Sequence, residues 1–342
     1  VKLASSQSEF SPWPHRLAVL LVCVTFPLIW VGGLVTTYDA GMAVPDWPTT
    51  YGYNLFLYPW QTWILGPWDL LIEHGHRLLG ALTGMIALAF TAAVLRFDQR
   101  IWMRWAAFAA VVLVIFQGLL GGARVLLDAR TLAMIHGCVG PLFFAFAACL
   151  AVTTSNWWRR GSASENWPTK ARFAGLTVIV ASLAYWQLIL GAQVRHMPVM
   201  ATPMDFRMAV IFHLVMAVTL LVFVSLLVRK TIRLKPGPAV RQPVLLLGLI
   251  MLFQIGLGVG TWVVKYGWPL LGDSYAMSAQ YLVVNESLLQ SFITTLHVAT
   301  GSLILAIAAV VCLRCLRLQS LAAPASIVFI GLMSQTRWEV AR

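Results

Sequence analysis

Apolar residues in this chain neither alternate nor recur every third or fourth position. They run on continuously, in eight stretches at 17–38, 75–95, 103–125, 132–153, 173–194, 207–228, 243–264 and 290–313. Each is close to the roughly 20 residues that an α-helix needs to cross a bilayer. The pattern predicts eight transmembrane helices, and it excludes a β-barrel, whose strands would alternate. Pro27 lies inside the first run and predicts a kink. A further apolar segment, Leu321–Met333, is too short to span and predicts an interfacial element in a tail at 319–342.

Composition narrows the class. The 342 residues are 60% apolar and only 11% charged, too few charges to cover a surface in water. The net charge of +12 would suggest nucleic acid in a soluble chain. Its distribution argues otherwise. With eight spans, 18 of the 24 Lys and Arg residues fall on the side of the termini and 6 on the other. The positive-inside rule then places both termini in the cytoplasm, and no nucleic-acid partner is expected. The first apolar run is long enough to stay as a span, so no removable leader is expected. Cys23, Cys138, Cys149, Cys312 and Cys315 all lie in apolar runs, so no extracytoplasmic disulfide is implied.

The chain repeats a helix pair. Phe116-Gln117 precedes Gly121 in the third span, Trp186-Gln187 precedes Gly191 in the fifth, and Phe253-Gln254 precedes Gly258 in the seventh. The first span keeps only the end of this pattern, VGGLV at 31–35. Even-numbered spans carry His76, His136, His213 and His297, with Gly80, Gly140, Ala217 and Gly301 four residues on. Four pairs predict two four-helix halves as parallel repeats: 1–160, 161–318, then the tail at 319–342. The boundary is predicted in the polar stretch 155–170.

Ionisable residues inside a membrane are costly and point to function. The four histidines stand at one depth, about 5–10 Å below the outer surface at 1.5 Å per residue. Each has a small residue on its own face, which leaves room for something flat. Haem iron takes axial histidines, and helix bundles build such sites between facing helices. We therefore pair His76 with His136 and His213 with His297, one haem iron per half. The alternative is that each histidine is polar glue between helices. A simple zinc site lacks neighbouring Cys or carboxylate ligands. Arg77, Arg124, Arg195 and Lys265 stand at outer helix ends, where propionates would emerge and where an Arg fork suits a carboxylate; snorkelling to the interface is the other reading. His15 is expected to be solvated at the interface, and His196 to cap the fifth span or touch a haem edge.

Glu73 breaks the symmetry. In EHGHR at 73–77 it shares a helix face with His76, where a carboxylate can take a proton or stabilise positive charge on a porphyrin edge; an ordinary interfacial carboxylate is the alternative. His74 points elsewhere. The loop 39–72 has no Lys or Arg but eight aromatics, Trp47, Tyr51, Tyr53, Phe56, Tyr58, Trp60, Trp63 and Trp68. It is expected to lie on the outer membrane surface and to lid the first site.

Together, EHGHR, PDWP at 45–48 followed by Gly52, LGGARV at 120–125 and a histidine on every even span resemble the haem A synthase family, over roughly residues 16–316. The resemblance implies oxidation of the C8 methyl group of haem O to a formyl group, by successive hydroxylations and loss of water from a geminal diol. It implies haem O on His76 and His136, a haem b cofactor on His213 and His297, and a functional role for Glu73. It also implies a bacterial cytoplasmic membrane, haem O synthase as donor, and an electron acceptor that the sequence does not name. Many members have cysteines flanking PDWP. Val44 and Thr50 stand there in this chain, so electron transfer through that pair is unavailable, and Cys312–Cys315 at the other end of the last span cannot replace it. The competing reading is a di-haem b-type electron carrier, for instance a quinol oxidase, with no porphyrin chemistry. A transporter would need charges near the midplane that the spans lack.

Overall fold

The computed structural model describes residues 10–159, 171–198, 200–267 and 287–322. The long helices are α1 (Trp13–Thr37), α3 (Trp68–Phe97), α4 (Ile101–Leu126), α5 (Arg130–Thr154), α7 (Ala171–Arg195), α8 (Pro203–Leu234), α9 (Pro238–Tyr266) and α10 (Leu288–Ala322). Two short helices, α2 (Trp60–Ile64) and α6 (Asn156–Arg159), lie between them. All eight long helices are apolar and long enough to cross a membrane. Among the described residues, only an isolated bridge between Thr50 and Tyr53 resembles sheet.

Each helix matches its predicted span, α1 stopping one residue short at Thr37, and most run on past it, furthest at α3, α8 and α10. Pro67 precedes α3, and Pro203 opens α8, where a missing N–H is no loss. Thr202 and Asp205 form a capping box, each side chain bonding the other's backbone N–H. Hydropathy misses the first turns of α3 because they hold Asp69 and Glu73. The helix α1 continues through Pro27. The apolar segment at 321–333 falls almost wholly outside the described residues, as do positions 160–170 of the predicted boundary.

Helix α1 packs on α3 and α5, and α4 packs on the same two. Likewise α7 packs on α8 and α10, and α9 packs on α8 and α10. Helix α10 also lies against α5 and α1, and α5 touches α7. Lipid tails are as apolar as leucine, so close fit rather than apolar burial holds such helices together. The tight fit is concentrated at one end. Leu21, Phe90, Met103 and Ala147 form one cluster there, and Phe173, Leu227, Leu247 and Val311 belong to another. The histidine-bearing ends lie opposite.

Asp98 ties this packed end together. Its carboxylate accepts from Arg100 Nη2 at 2.6 Å and from Arg159 Nη2 at 2.9 Å, and Arg100 Nη1 reaches the carbonyl of Thr153 at 3.0 Å. Burial alone would raise the pKa of Asp98, but the Arg100 and Arg159 contacts outweigh it and hold the group below the usual carboxylate range. His15 departs from its expected solvated position. Its Nδ1 lies 3.0 Å from the carbonyl of Ala151 and 3.3 Å from Thr154 Oγ1. It joins α1 to the end of α5, because the Ala151 carbonyl lies in the last turn and has no helical partner beyond it.

Candidate functional site

The four histidines meet in two pairs at the other end. The ring centroids of His76 and His136 are 6.2 Å apart, with planes at 80°. Those of His213 and His297 are 6.4 Å apart, at 71°. A metal ion with an imidazole nitrogen about 2 Å away on each side would hold the two ring centroids roughly 6 Å apart, so the two imidazoles of each pair could hold one metal ion between them. Among the described residues no three His, Cys, Asp or Glu side chains gather around a point. The donors come in twos, as a porphyrin iron requires. Nδ1 of His76, His136 and His297 is buried without a hydrogen-bond partner. Each histidine stands about 9–15 Å along its helix from the first residue, at 1.5 Å per residue.

The fit around each imidazole comes from a different residue than the sequence pattern suggested. A Cβ on Gly32 would lie 2.7 Å from His76 Cε1. On Gly121 it would lie 3.3 Å from His136 Cε1, and on Gly191 or Gly258 it would lie 3.1 Å from the same atom of His213 or His297. So the glycine of each preceding helix seats the next helix's histidine, and α1 keeps this relation although it lacks the Gln. The small residue four positions after His136 or His297 serves the glutamine instead. Gln117 Nε2 donates to the carbonyl of His136 at 3.2 Å, and Gln254 Nε2 to that of His297 at 2.9 Å, over Gly140 and Gly301. Gln187 differs: its carboxamide lies 3.1 and 3.2 Å from the two ring nitrogens of His213.

Glu73 is 3% exposed. Its Oε1 accepts from Arg77 Nη2 at 2.7 Å, and its Oε2 accepts the Val44 N–H at 2.8 Å. Arg77 also donates to the carbonyls of Val44, Asp46 and Thr49 at 2.7–2.9 Å. Its fork is thus spent on the loop between α1 and α3. His74, far from idle, is buried with Nδ1 3.1 Å from Thr50 Oγ1, and Tyr58 and Trp63 pack on its ring with centroids at 5.3 and 4.9 Å. Trp47 occupies the space beside Gly122 on α4, so the loop reaches from α3 across to α4. Asp46 organises its turn by accepting from Thr49 Oγ1 and from the N–H groups of Tyr51 and Gly52. Burial raises the Asp46 pKa, but those hydrogen bonds outweigh it and hold the carboxyl low. Gly52 has φ +79°, a left-handed conformation that suits glycine there.

The other cations separate by role. Arg124 Nη1 donates to the carbonyl of Gly41 at 3.0 Å. Arg195 Nη2 donates to the Gly33 carbonyl and Thr37 Oγ1, both at 2.6 Å, and its Nη1 is buried and unpartnered. Lys265 lies within electrostatic reach of Arg195. His196 approaches α5, with Nε2 3.8 Å from where a Cβ on Gly137 would sit.

Residues 68–206 match the family model COX15-CtaA, described as "Cytochrome oxidase assembly protein". A protein named Heme A synthase from Shouchella clausii is 28% identical over 184 residues, 53% of this chain and 56% of that relative. Another so named, from Symbiobacterium thermophilum, is 30% identical over 186 residues, again 53% and 56%. A third, from Alkalihalophilus pseudofirmus, is 29% identical over 171 residues, 48% and 54%. Over this stretch the chain is similar to the haem A synthase family. It spans little more than half the length of these curated relatives. The family match takes in Glu73, His76, Arg77, Arg124, His136 and Arg195 and ends before His213 and His297. The second pair therefore rests on the internal repeat and on its own geometry.

At the two positions where many family members carry cysteines, Val44 and Thr50 are both fully buried. Each is held: Val44 by Glu73 and Arg77, Thr50 by His74. The sequence reading missed this work of His74, though a second histidine so close to Glu73 and Arg77 was a signal. The glycine seats make a testable prediction. Gly32→Ala forces His76 to shift, because a Cβ contact of 2.7 Å is too short to persist. Porphyrin binding at the first pair is expected to weaken about 10-fold, as when a ligand's support is removed, with the second pair's absorbance unchanged. Equal loss at both pairs contradicts the separate seats.

Proposed function

We propose that this chain is a haem A synthase that oxidises the C8 methyl group of haem O to a formyl group. The reading has two four-helix halves, 1–160 and 161–318, related as parallel repeats. In it the first half holds haem O on His76 and His136, and the second holds haem b on His213 and His297. Support comes from the matching ring separations, from the family match over residues 68–206 and from the reciprocal packing of the long helices.

One observation carries the enzymatic reading over the electron-carrier reading. Among the described residues, only His76 has a buried carboxylate one turn away under a folded loop. The corresponding positions, three residues before His136, His213 and His297, are Ala133, Val210 and Thr294. Glu73 keeps lone pairs beyond those used by Arg77 and Val44. It can stabilise positive charge that develops at the edge of a nearby porphyrin, and the loop keeps water out while it does so. Haem b, when bound, supplies a one-electron relay. The methyl group and one water give the formyl group with release of four protons and four electrons, which leave to an acceptor outside the chain. Arg124, Arg195 and Lys265 are the proposed propionate contacts; Arg77, committed to the loop, acts on the first site through Glu73. The membrane is proposed to be the bacterial cytoplasmic membrane, with both termini in the cytoplasm and haem O synthase as donor.

The test is chemical. The chain is expressed in a host that makes haem O but no haem A, and the pigments are extracted. A porphyrin heavier by a methyl-to-formyl conversion is expected. Unaltered haem O beside firmly bound haem b supports the electron carrier instead.

A further inference from the structure

Arg195 ends α7 one turn beyond Gly191 and on the same helix face. It therefore stands directly outward of the seat of His213. Half of its guanidinium is anchored on another helix, since Nη2 donates to the Gly33 carbonyl and to Thr37 Oγ1 of α1. Thr37 Oγ1 lies 3.1 Å from Thr295 Oγ1 on α10, two residues before His297. The other half, Nη1, is buried and makes no hydrogen bond. Among the described residues the ion pairs involve Glu73 and Asp98, and neither includes Arg195. Lys265, His196 and His297 lie within its electrostatic reach, and all add positive or neutral character. A buried cation with an open N–H is costly unless a partner of opposite charge completes it. The planar fork of arginine fits a carboxylate best.

We infer that Nη1 of Arg195 is a carboxylate-binding site for a propionate of the porphyrin held by His213 and His297, and that the first half of the chain shares the grip through α1. The inference deepens the haem reading of the second pair and rests on it. Gly33 follows Gly32, against which His76 packs. One turn of α1 thus braces the carboxylate of one site and the imidazole of the other.

The test uses the purified full chain with His76→Ala added, so that only the second pair can ligate. It is titrated with iron protoporphyrin IX and, separately, with the dimethyl ester, whose propionates carry no charge. A hydrogen bond to a charged group corresponds to about 10- to 100-fold in affinity. Arg195→Gln is expected to weaken the free acid by that factor and to leave the ester unchanged. Arg195→Lys should fall between, and Thr37→Val should weaken only the free acid, about 3-fold, because it loosens the anchor. Unchanged free-acid binding in Arg195→Gln overturns the site. So does an equal loss for the ester, which marks a general structural role. Unchanged binding in Thr37→Val overturns the sharing between halves. A parent protein that takes up neither porphyrin overturns the haem reading itself, and this inference with it.

Discussion

Purified protein carrying His213→Ala is expected to lose a low-spin b-type haem spectrum that His76→Ala retains. The two rings of the second pair stand 6.4 Å apart, so removing either would leave a bound iron with a single imidazole. Loss of a partner that merely supports a ligand costs about 10- to 100-fold in metal affinity; loss of the ligand itself should exceed the upper figure. The neighbouring Gln187 adds a detail. Its carboxamide rests on the His213 ring, whereas Gln117 and Gln254 bond the carbonyl of the equivalent histidine. On haem binding Gln187 should swing to that carbonyl, and Gln187→Ala should leave the spectrum intact while loosening the ring. If His76→Ala and His213→Ala abolish the same absorbance, the division of roles between the halves is wrong.

The second large effect is expected at Glu73. Glu73→Ala leaves Arg77 without its ion-pair partner in a buried setting and leaves the Val44 N–H unsatisfied. Breaking a buried pair by removing one member costs about 3–5 kcal/mol. The damage should be local, because Arg77 keeps its three loop carbonyls. Protease cleavage near Trp60–Trp63 should rise, and formyl production should stop. Glu73→Gln separates the two roles. An amide oxygen can still accept the Val44 N–H, so the loop should stay largely protected, while the charge beside the porphyrin is gone. Full formyl output from Glu73→Gln removes the carboxylate from the chemistry. A loop as protected in Glu73→Ala as in the parent removes it from the latch.

The two roles are physically linked. In the proposed function, a carboxylate facing a porphyrin edge has to be held in one rotamer inside a low-dielectric site, and the bonds of Glu73 to Arg77 and the Val44 N–H would do that. The same bonds fold the loop over the bundle end. Val44 and Thr50 then need no covalent bond between them to keep the loop in place, since the Glu73–Arg77 pair holds one and His74 the other.

Much of the architecture was legible along the chain. A bilayer imposes its thickness on every helix, so continuous apolar runs revealed eight spans to within a few residues, most of the error falling where Asp69 and Glu73 open α3 and where α8 and α10 run on past their spans. Helical periodicity likewise revealed the repeated Gln-x3-Gly and the four histidines, because residues four apart share a face whatever surrounds them. What touches that face was not legible. The sequence assigned clearance beside His136 to Gly140, and packing gave it to Gly121. It offered Arg77 to a propionate, and the loop took its donors. It left His74 and His15 without work, and both proved to join segments far apart in the chain. It placed Arg195 in the second half, and its guanidinium is held by α1, 158 and 162 residues away. Local order follows from short-range geometry and from solvent, which act on every residue separately. Partners across helices depend on which faces meet and at what depth, and only the packed bundle fixes those.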